Sequence, residues 1–258
     1  MSCLAEQAKI LVAEGLENNL AFDERWARWH MCSLCEQRYH GVVKWALGWA
    51  CWKTYLSRPE GDTVQFSAMR LLGNGLSNAG HNEEALSVRE AELSTLRRVG
   101  GTAAHMLVVQ GNLATTYKKI GRIEEALNLY RAVYSGELKL YGAEDNQTLV
   151  SAYNYAIALI ELQRFDQAKS LLRQSVRVAR RVLGENVETT LKLRWIYADA
   201  LYEDPDAALD DLREAVMTLE ETAQIARRVL GAAHPVTAEI EYYLRDARAA
   251  LRARGGNG

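Results

Sequence analysis

Cys32 and Cys35 form the one C-x-x-C motif of the sequence, and His30, His40 and Cys51 lie near it along the chain. Thiolate and imidazole groups are the usual ligands of zinc, so these residues could supply half of a zinc site. A structural zinc site needs four converging ligands, and no second C-x-x-C motif occurs. Helical spacing would also place both thiols on one helix face, where they can pack without a metal. A zinc-binding or redox module is therefore the alternative hypothesis, and we assign no metal ligand and no cofactor.

Other patterns that could do chemistry have simpler explanations. Glu83-Glu84 and Glu124-Glu125 look like paired catalytic carboxylates, but each pair opens a predicted helix, where negative charge complements the helix dipole. Gly73-Asn74-Gly75 is too short for a phosphate-binding loop and follows no predicted strand. No H-E-x-x-H, G-x-S-x-G or Walker-type motif is present. We therefore expect a protein that is not an enzyme.

Composition and charge narrow the class of protein. The 258 residues carry a formal net charge of -2, which leaves no broad cationic field for nucleic acid or anionic membranes. No run approaches the ~20 apolar residues of a membrane span, and the first 20 residues carry three glutamates where a signal peptide would be basic and then apolar. Four cysteines are too few for a disulfide framework. We expect a soluble, cytoplasmic protein with reduced thiols.

The elements that would position these residues begin with a distinct segment, residues 1–60. It holds all four cysteines and five of the six tryptophans. Apolar residues recur at helical spacing from Leu4 to Leu20, a second helix is predicted from Asp23 to Arg38, and a third covers Val42 to Leu56. The predicted segment is therefore short and helical.

Three tryptophans of the third predicted helix share one face. Trp45, Trp49 and Trp52 stand at positions i, i+4 and i+7. Such an aromatic stripe is more typical of a packed core than of a ligand cage, so we expect it to bury the segment against the first repeat. An exposed patch that recruits a partner is the alternative.

Predicted helices follow in pairs through residues 61–254, in units of about 63–101, 102–144, 145–186 and 187–233. The predicted pairs are Thr63–Ala79 with Asn82–Val99, Ala103–Ile120 with Ile123–Tyr141, Asn146–Leu162 with Phe165–Leu183, and Val187–Tyr202 with Asp206–Val229. A last helix, residues 235–253, begins with Pro235 at a first-turn position and would cap the array. With three prolines in the whole chain and no alternating apolar runs, the fold class is predicted to be all-α.

A repeat of 42 residues underlies these pairs. A fixed repeat of this length is typical of a solenoid, in which each unit buries its apolar face against its neighbours. In the last pair the spacing from Gly184 to Gly231 grows to 47 residues, and the extra residues fall in the loop near Pro205. The repeated residues are Leu107, Asn112, Ala126, Leu140 and Gly142, which recur as Leu149, Asn154, Ala168, Val182 and Gly184.

One unit, residues 110–127, resembles a tetratricopeptide repeat (TPR). Its Leu113-Ala114, Tyr117, Gly121 and Ala126 match that family in order and spacing. The 42-residue form, with Leu-Gly turns and the His234-to-Thr237 start of the last helix, is similar to the repeats of kinesin light chains. The resemblance covers about residues 65–253 and implies a right-handed α-solenoid of about four helix pairs plus a C-terminal capping helix. The heptads that precede the repeats in kinesin light chains are not seen, so no motor role is carried over.

The resemblance also implies a binding surface. In TPR arrays the first helix of each pair lines a concave groove, which binds peptide segments or helices of other proteins. Asn112 and Asn154 occupy the position at which family members often hold a ligand's backbone by the side-chain amide, and a hydrogen bond within the helix stack is the alternative. Six more residues are expected to face the groove: Arg70, Asn74, Thr115, Lys119, Trp195 and Asp199.

The predicted function is that of a non-catalytic scaffold or adaptor for other proteins, with no nucleic-acid or membrane partner. The mixed charge of the expected groove residues suggests a ligand of mixed charge. An enzyme whose active site lies on a partner, or on a longer chain from which this sequence is cut, is a third interpretation. The lack of convergent catalytic motifs argues against it.

Overall fold

The computed structural model describes residues 2–255 and builds that range from twelve α-helices and one 3-10 turn, without a strand. The chain divides into two compact units, residues 1–122 and 123–258. The predicted all-α class is confirmed. Between residues 2 and 255, no helix combines the length and the apolar character that crossing a membrane requires.

The first unit contains six helices. In chain order they are α1 (Ser2–Glu17), α2 (Phe22–Trp26), the 3-10 turn Ala27–Trp29, α3 (Gly41–Tyr55), α4 (Thr63–Asn78), α5 (Asn82–Val99) and α6 (Ala103–Lys119). Its core joins α1, α3 and α4 through buried side chains that include Val12, Trp29, Leu47 and Val64. The N-terminal segment and the first helix pair thus lie in one compact unit, and the division at residue 60 stays a prediction.

The predicted helix from Asp23 to Arg38 is wrong beyond Trp29. The backbone N–H of Cys32 donates to the carbonyl of Gln37 at 2.9 Å, and Met31 and Arg38 form an antiparallel bridge. The C-x-x-C motif therefore lies in a hairpin turn. A helix here would bury little apolar surface, since Leu34, the apolar side chain between the two cysteines, is 94% exposed.

Helices α3 and α4 pack antiparallel at very short range. A Cβ atom at Gly48 would lie 3.1 Å from the carbonyl oxygen of Leu71, and one at Gly75 would lie 3.1 Å from that of Lys44. Glycine at both positions lets the two backbones approach. The predicted core packing of the tryptophan stripe is confirmed in part, because Trp45 and Trp52 pack against the core beside Leu72.

Trp49, the third member of the predicted stripe, lies at the edge of this packing. Its side chain is 37% exposed, whereas those of Trp45 and Trp52 are half-buried. The predicted burial of the segment against the first repeat holds for α3 as a whole.

The second unit also contains six helices. They are α7 (Ile123–Tyr141), α8 (Asn146–Glu161), α9 (Phe165–Val182), α10 (Glu188–Tyr202), α11 (Leu209–Val229) and α12 (Pro235–Gly255). The bounds of the repeat helices lie within three residues of the predicted ones. The extra residues of the last pair occupy the loop between α10 and α11, as predicted, and Asp204 in that loop pairs with Lys169 at 2.7 Å.

Local chemistry sets where the helices begin. The Asp62 carboxylate accepts from the backbone N–H of Val64 at 2.7 Å, and the Asp145 carboxylate accepts from that of Gln147 at 2.8 Å. These N-caps satisfy donors that a helix leaves free at its start. The glutamate pairs considered above as carboxylate dyads lie in the first turns of α5 and α7, as predicted, where negative charge complements the helix dipole.

Arginines at the ends of second helices tie each pair to the turn that precedes it. Arg181 of α9 contacts Glu144 at 2.7 Å, and Arg228 of α11 contacts Asn186 at 3.1 Å. Arg98 of α5 reaches Glu60 in the same way. The two residues of each contact are separated by a similar length of sequence, so the contact recurs from one helix pair to another.

Candidate functional site

The first unit places three of the predicted groove residues on α6. Asn112 is half-buried, and its side-chain amide has no hydrogen-bond partner among residues 2–255. The hydroxyl of Thr115 donates to the carbonyl of Gly111 at 3.0 Å. Lys119 is an exposed residue, and its ammonium group donates to the hydroxyl of Ser77 at 2.8 Å.

Arg70 and Asn74 of α4 belong to a polar cluster that reaches α5 and α6. Arg70 Nε lies 3.7 Å from an Oε atom of Glu92, and the Arg70 guanidinium also contacts His105. Asn74 Oδ1 accepts from Arg89 at 3.0 Å. Burial raises the pKa of Glu92 to about 7, although Arg70 and Arg89 act in the opposite direction. These contacts fix Arg70 and Asn74 in place.

Beside this cluster, a pocket of about 290 Å³ lies between α4 and the N-terminal segment. Its wall includes Arg70 and Asn74 from α4, together with Arg38 and Lys44 from the segment. The pocket is therefore rich in cationic groups. Two of the predicted groove residues line a site that the N-terminal segment completes.

In the second unit, α8 and α10, each the first helix of its pair, form a pocket of about 340 Å³. Tyr153 and Asn154 of α8 line it, facing Thr189 and Lys192 of α10. Asn154 is half-buried, and its side-chain amide has no hydrogen-bond partner in the described part of the chain. The pocket thus offers an unoccupied amide beside a hydroxyl and a cation.

Trp195 and Asp199 of α10 are buried rather than open. Their exposed fractions are 5% and 7%, and the Trp195 ring lies 5.1 Å from that of Tyr243 on α12. Helix α12 packs on α10, and its Tyr243 lies against Trp195 and near Asp199. The expected exposure of these two side chains is thus not observed. A role for Trp195 and Asp199 in ligand binding stays a prediction.

The amino-acid sequence matches a known family over part of its length. The model of the tetratricopeptide repeat matches residues 107–145, 148–186 and 204–236. This chain contains tetratricopeptide repeats between residues 107 and 236. The first two matches cover α6 to α9, and the third runs from the loop before α11 to the start of α12. A comparison of this TPR protein with curated proteins gives no match.

Solved structures share the fold of this TPR protein. Nearly identical TPR-like repeats described as a kinesin light chain from Podosopora anserina align with a TM-score of 0.62 and 22% identity, over 74% of this chain and 89% of that one. BtubC (BKLC) from P. vanneervenii aligns with a TM-score of 0.57 and 14% identity, over 83% of this chain and 91% of that one. The predicted α-solenoid of kinesin light chain type is confirmed at the level of the fold.

A third structure, a Rap protein in complex with Competence and Sporulation Factor, also has this fold. It aligns with a TM-score of 0.57 and 14% identity, over 96% of this TPR protein and 66% of the Rap chain.

Sequence reasoning missed several lining residues of both pockets. Arg38 and Lys44 lie outside the repeats, so the alignment of repeat positions could not select them. Tyr153 and Lys192 lie inside the repeats, Tyr153 directly before Asn154 and Lys192 three residues before Trp195. For Tyr153 a signal existed, since it stands at the repeat position of Trp195, 42 residues later.

The alternative site of this TPR protein, at Cys32 and Cys35, has the geometry of a tight turn. The backbone N–H of Leu34 donates to Cys32 Sγ at 3.5 Å. Hydrogen bonds from the backbone N–H groups of Cys35 and Leu34 lower the pKa of the Cys32 thiol. Within residues 2–255, no group of three or more histidine, cysteine, aspartate or glutamate side chains could hold a metal ion.

Proposed function

We propose that this TPR protein is a non-catalytic scaffold or adaptor whose first helices bind peptide segments or helices of partner proteins. The observation that carries the proposal is the free side-chain amide of Asn154 in the pocket between α8 and α10. An amide both donates and accepts, so it can pair with the N–H and the C=O of an extended peptide backbone. The amide is half-buried but open to solvent in the pocket, so a ligand can pair with it by displacing water.

The neighbours of Asn154 suit a peptide. Tyr153 supplies an apolar ring, and Thr189 and Lys192 supply a hydroxyl and a cation within the same pocket. Lys192 is paired with Glu188 at 2.6 Å, so both signs of charge face the ligand. A peptide segment of mixed charge fits this lining.

Asn112 supports the same proposal in the first unit. Its amide is also free of partners within residues 2–255, which disfavours the alternative of a hydrogen bond inside the helix stack. The Rap protein shows that one chain of this fold is found in complex with Competence and Sporulation Factor. The formal charge of -2 supports protein partners over nucleic acid or membranes, and we place the function in the cytoplasm.

The test begins with peptides selected from a displayed library on the intact protein. Replacing Asn112→Ala and Asn154→Ala, singly and together, should weaken the selected peptides by about tenfold or more, because each change removes two hydrogen bonds to the ligand. Alanine favours the helix more than asparagine does, so the melting temperature should not fall. Isothermal titration calorimetry gives the affinities.

Asn128→Ala is the matched control, since Asn128 is exposed on the second helix α7. It should leave peptide affinity unchanged. Equal binding of the selected peptides to the double variant and to the unmodified protein would remove the proposal.

A further inference from the structure

The pocket between α4 and the N-terminal segment carries an unbalanced positive charge. Arg38, Lys44 and Arg70 line it, against the single carboxylate of Asp23. Within residues 2–255, the side chains of Arg38 and Lys44 have no hydrogen bond and no ion pair. In a chain of net charge -2, three cations around one small pocket are not explained by composition.

The cations lie close enough to repel one another. Burial and the charges of Arg38 and Lys119 lower the pKa of Lys44. Burial and the charges of Arg38 and Lys44 also lower the pKa of His30, another lining residue. Glu92, next to Arg70, offsets this charge only in part, because burial raises its pKa to about 7. An anion bound in the pocket would remove the repulsion.

Aromatic side chains also line the pocket. Phe22 and Trp26 line it with their rings stacked at a centroid distance of 5.3 Å, and Leu71 extends the apolar surface. A pocket of about 290 Å³ is larger than a phosphate or carboxylate group alone requires. The remaining space beside the rings suits a planar group of the same ligand.

We propose that this pocket binds a phosphate monoester carried on an aromatic or heterocyclic ring. Two guanidinium groups and an ammonium group match the oxygens of a dianionic phosphate, whereas a single carboxylate would leave cationic charge uncompensated. Ser67 and Asn74 add a hydroxyl and an amide to the lining. The ring stacks against Phe22 and Trp26.

This binding goes beyond the scaffold function and does not depend on it. The site is formed by α4 and the N-terminal segment of the first unit, whereas the scaffold proposal is tested on Asn112 and Asn154. Two kinds of ligand carry a phosphate monoester on such a ring. One is a free nucleotide, and the other is a phosphorylated tyrosine side chain of a partner protein.

The experiment is calorimetric titration of the full chain with phenyl phosphate, inorganic phosphate and benzoate. Phenyl phosphate should bind about tenfold more tightly than either of the others, because it alone combines the dianion with the ring. Equal affinity for inorganic phosphate overturns the aromatic part of the proposal. No heat of binding with any of the three anions overturns it entirely.

Adenosine monophosphate and an N-acetyl phosphotyrosine amide then separate the two sources. Binding of either compound supports the proposal, and the compound that binds more tightly identifies which kind of ligand the pocket prefers. If phenyl phosphate binds but both compounds are rejected, the pocket does not serve phosphate esters of this size, and the proposal fails.

Arg38→Gln and Lys44→Gln provide the variants. Neither side chain has a partner in the described chain, so both variants should fold with unchanged circular dichroism while losing about tenfold in affinity. Lys53→Gln, at an exposed position on the same helix α3, is the control and should bind as the unmodified protein does. Retained affinity in both pocket variants would show that the anion binds elsewhere.

Discussion

Cys32 and Cys51 are two thiols whose surroundings shift the pKa in opposite directions. Backbone N–H groups of Cys35 and Leu34 donate to the Cys32 sulfur and lower its pKa, whereas burial raises the pKa of Cys51. Because the thiolate is the reactive form, iodoacetamide at pH 7.5 should modify Cys32 well before Cys51. Peptide mass spectrometry after a limited reaction gives the order.

The same reaction in denaturant is the control for this order. Unfolding removes both the hydrogen bonds at Cys32 and the burial of Cys51, so the two thiols should then react at similar rates. Native protein in which Cys51 is modified as fast as Cys32 would contradict the assignment of their environments.

The close approach of helices α3 and α4 depends on Gly48 and Gly75. A Cβ atom at Gly48 would press on backbone atoms of Leu71 and Leu72, at 3.1 and 3.2 Å, which cannot yield without separating the helices. We therefore expect Gly48→Ala and Gly75→Ala each to lower the free energy of unfolding by about 1–3 kcal/mol, despite the better helix propensity of alanine. Denaturant unfolding measures this change.

Gly73→Ala is the matched control in α4. A Cβ atom there would meet only side-chain atoms, the nearest being those of Arg89 at 3.4 Å, so the substitution should be neutral or stabilise by up to about 1 kcal/mol. A gain in stability for Gly48→Ala would show that the two helices have room to spare.

The turn between α8 and α9 places a glutamine where related turns have glycine. Gln163 has φ of +56°, and the matching Gly80 has φ of +86°. A left-handed conformation costs a non-glycine residue about 1 kcal/mol, part of which the greater entropy of glycine in the unfolded chain offsets. Gln163→Gly should therefore stabilise the protein by about 0.5 kcal/mol, as measured by denaturant unfolding.

The reciprocal change, Gly80→Gln, should destabilise. No atom of the described chain lies within 4 Å of a Cβ at Gly80, so the effect isolates the backbone conformation. Opposite signs for the two substitutions would confirm the equivalence of the turns, and a loss of stability in both would contradict it.

The helices that the sequence predicted correctly are those with a periodic pattern of apolar residues. The repeat of apolar positions and turn residues predicted the helices from Thr63 onward, because equivalent helices of a repeat array pack against their neighbours in the same way. The predicted helix was wrong from Cys32 to Arg38. There, the hydrogen bonds of a hairpin determine the backbone conformation, and no periodic apolar face is present.

The candidate sites were predictable only in part, for a related reason. Repeat alignment selects first-helix positions and so found Asn154, but it could not show that Trp195 and Asp199 are buried. Nor could it place Arg38 and Lys44 beside α4, since that contact depends on how the segment folds back on the first repeat. Contacts between elements that are not repeated leave no periodic signal.

Burial of Asp199 in the second unit should make the stability of the whole chain depend on pH. Burial raises the pKa of Asp199 from its ordinary 3.8 to about 7, and the neighbouring Glu203 adds to this effect. Between these two values the folded state keeps a proton that the unfolded state has lost, so the free energy of unfolding falls as pH rises. The contribution is complete below about pH 4 and lost above about pH 7, and it amounts to about 2–4 kcal/mol.

Asp199→Asn tests this dependence, because the amide stays neutral throughout. The variant should match the unmodified protein at pH 4 and exceed its free energy of unfolding by about 2–4 kcal/mol at pH 8, as measured by denaturant titration at both values. Asp206→Asn, at an exposed carboxylate in the nearby loop, should show no such difference between the two pH values. A difference for Asp199→Asn that is equal at pH 4 and pH 8 would mean that this carboxyl is already ionised in the folded chain. The folded state would then bury a charged group whose side-chain hydrogen bond is with Tyr202.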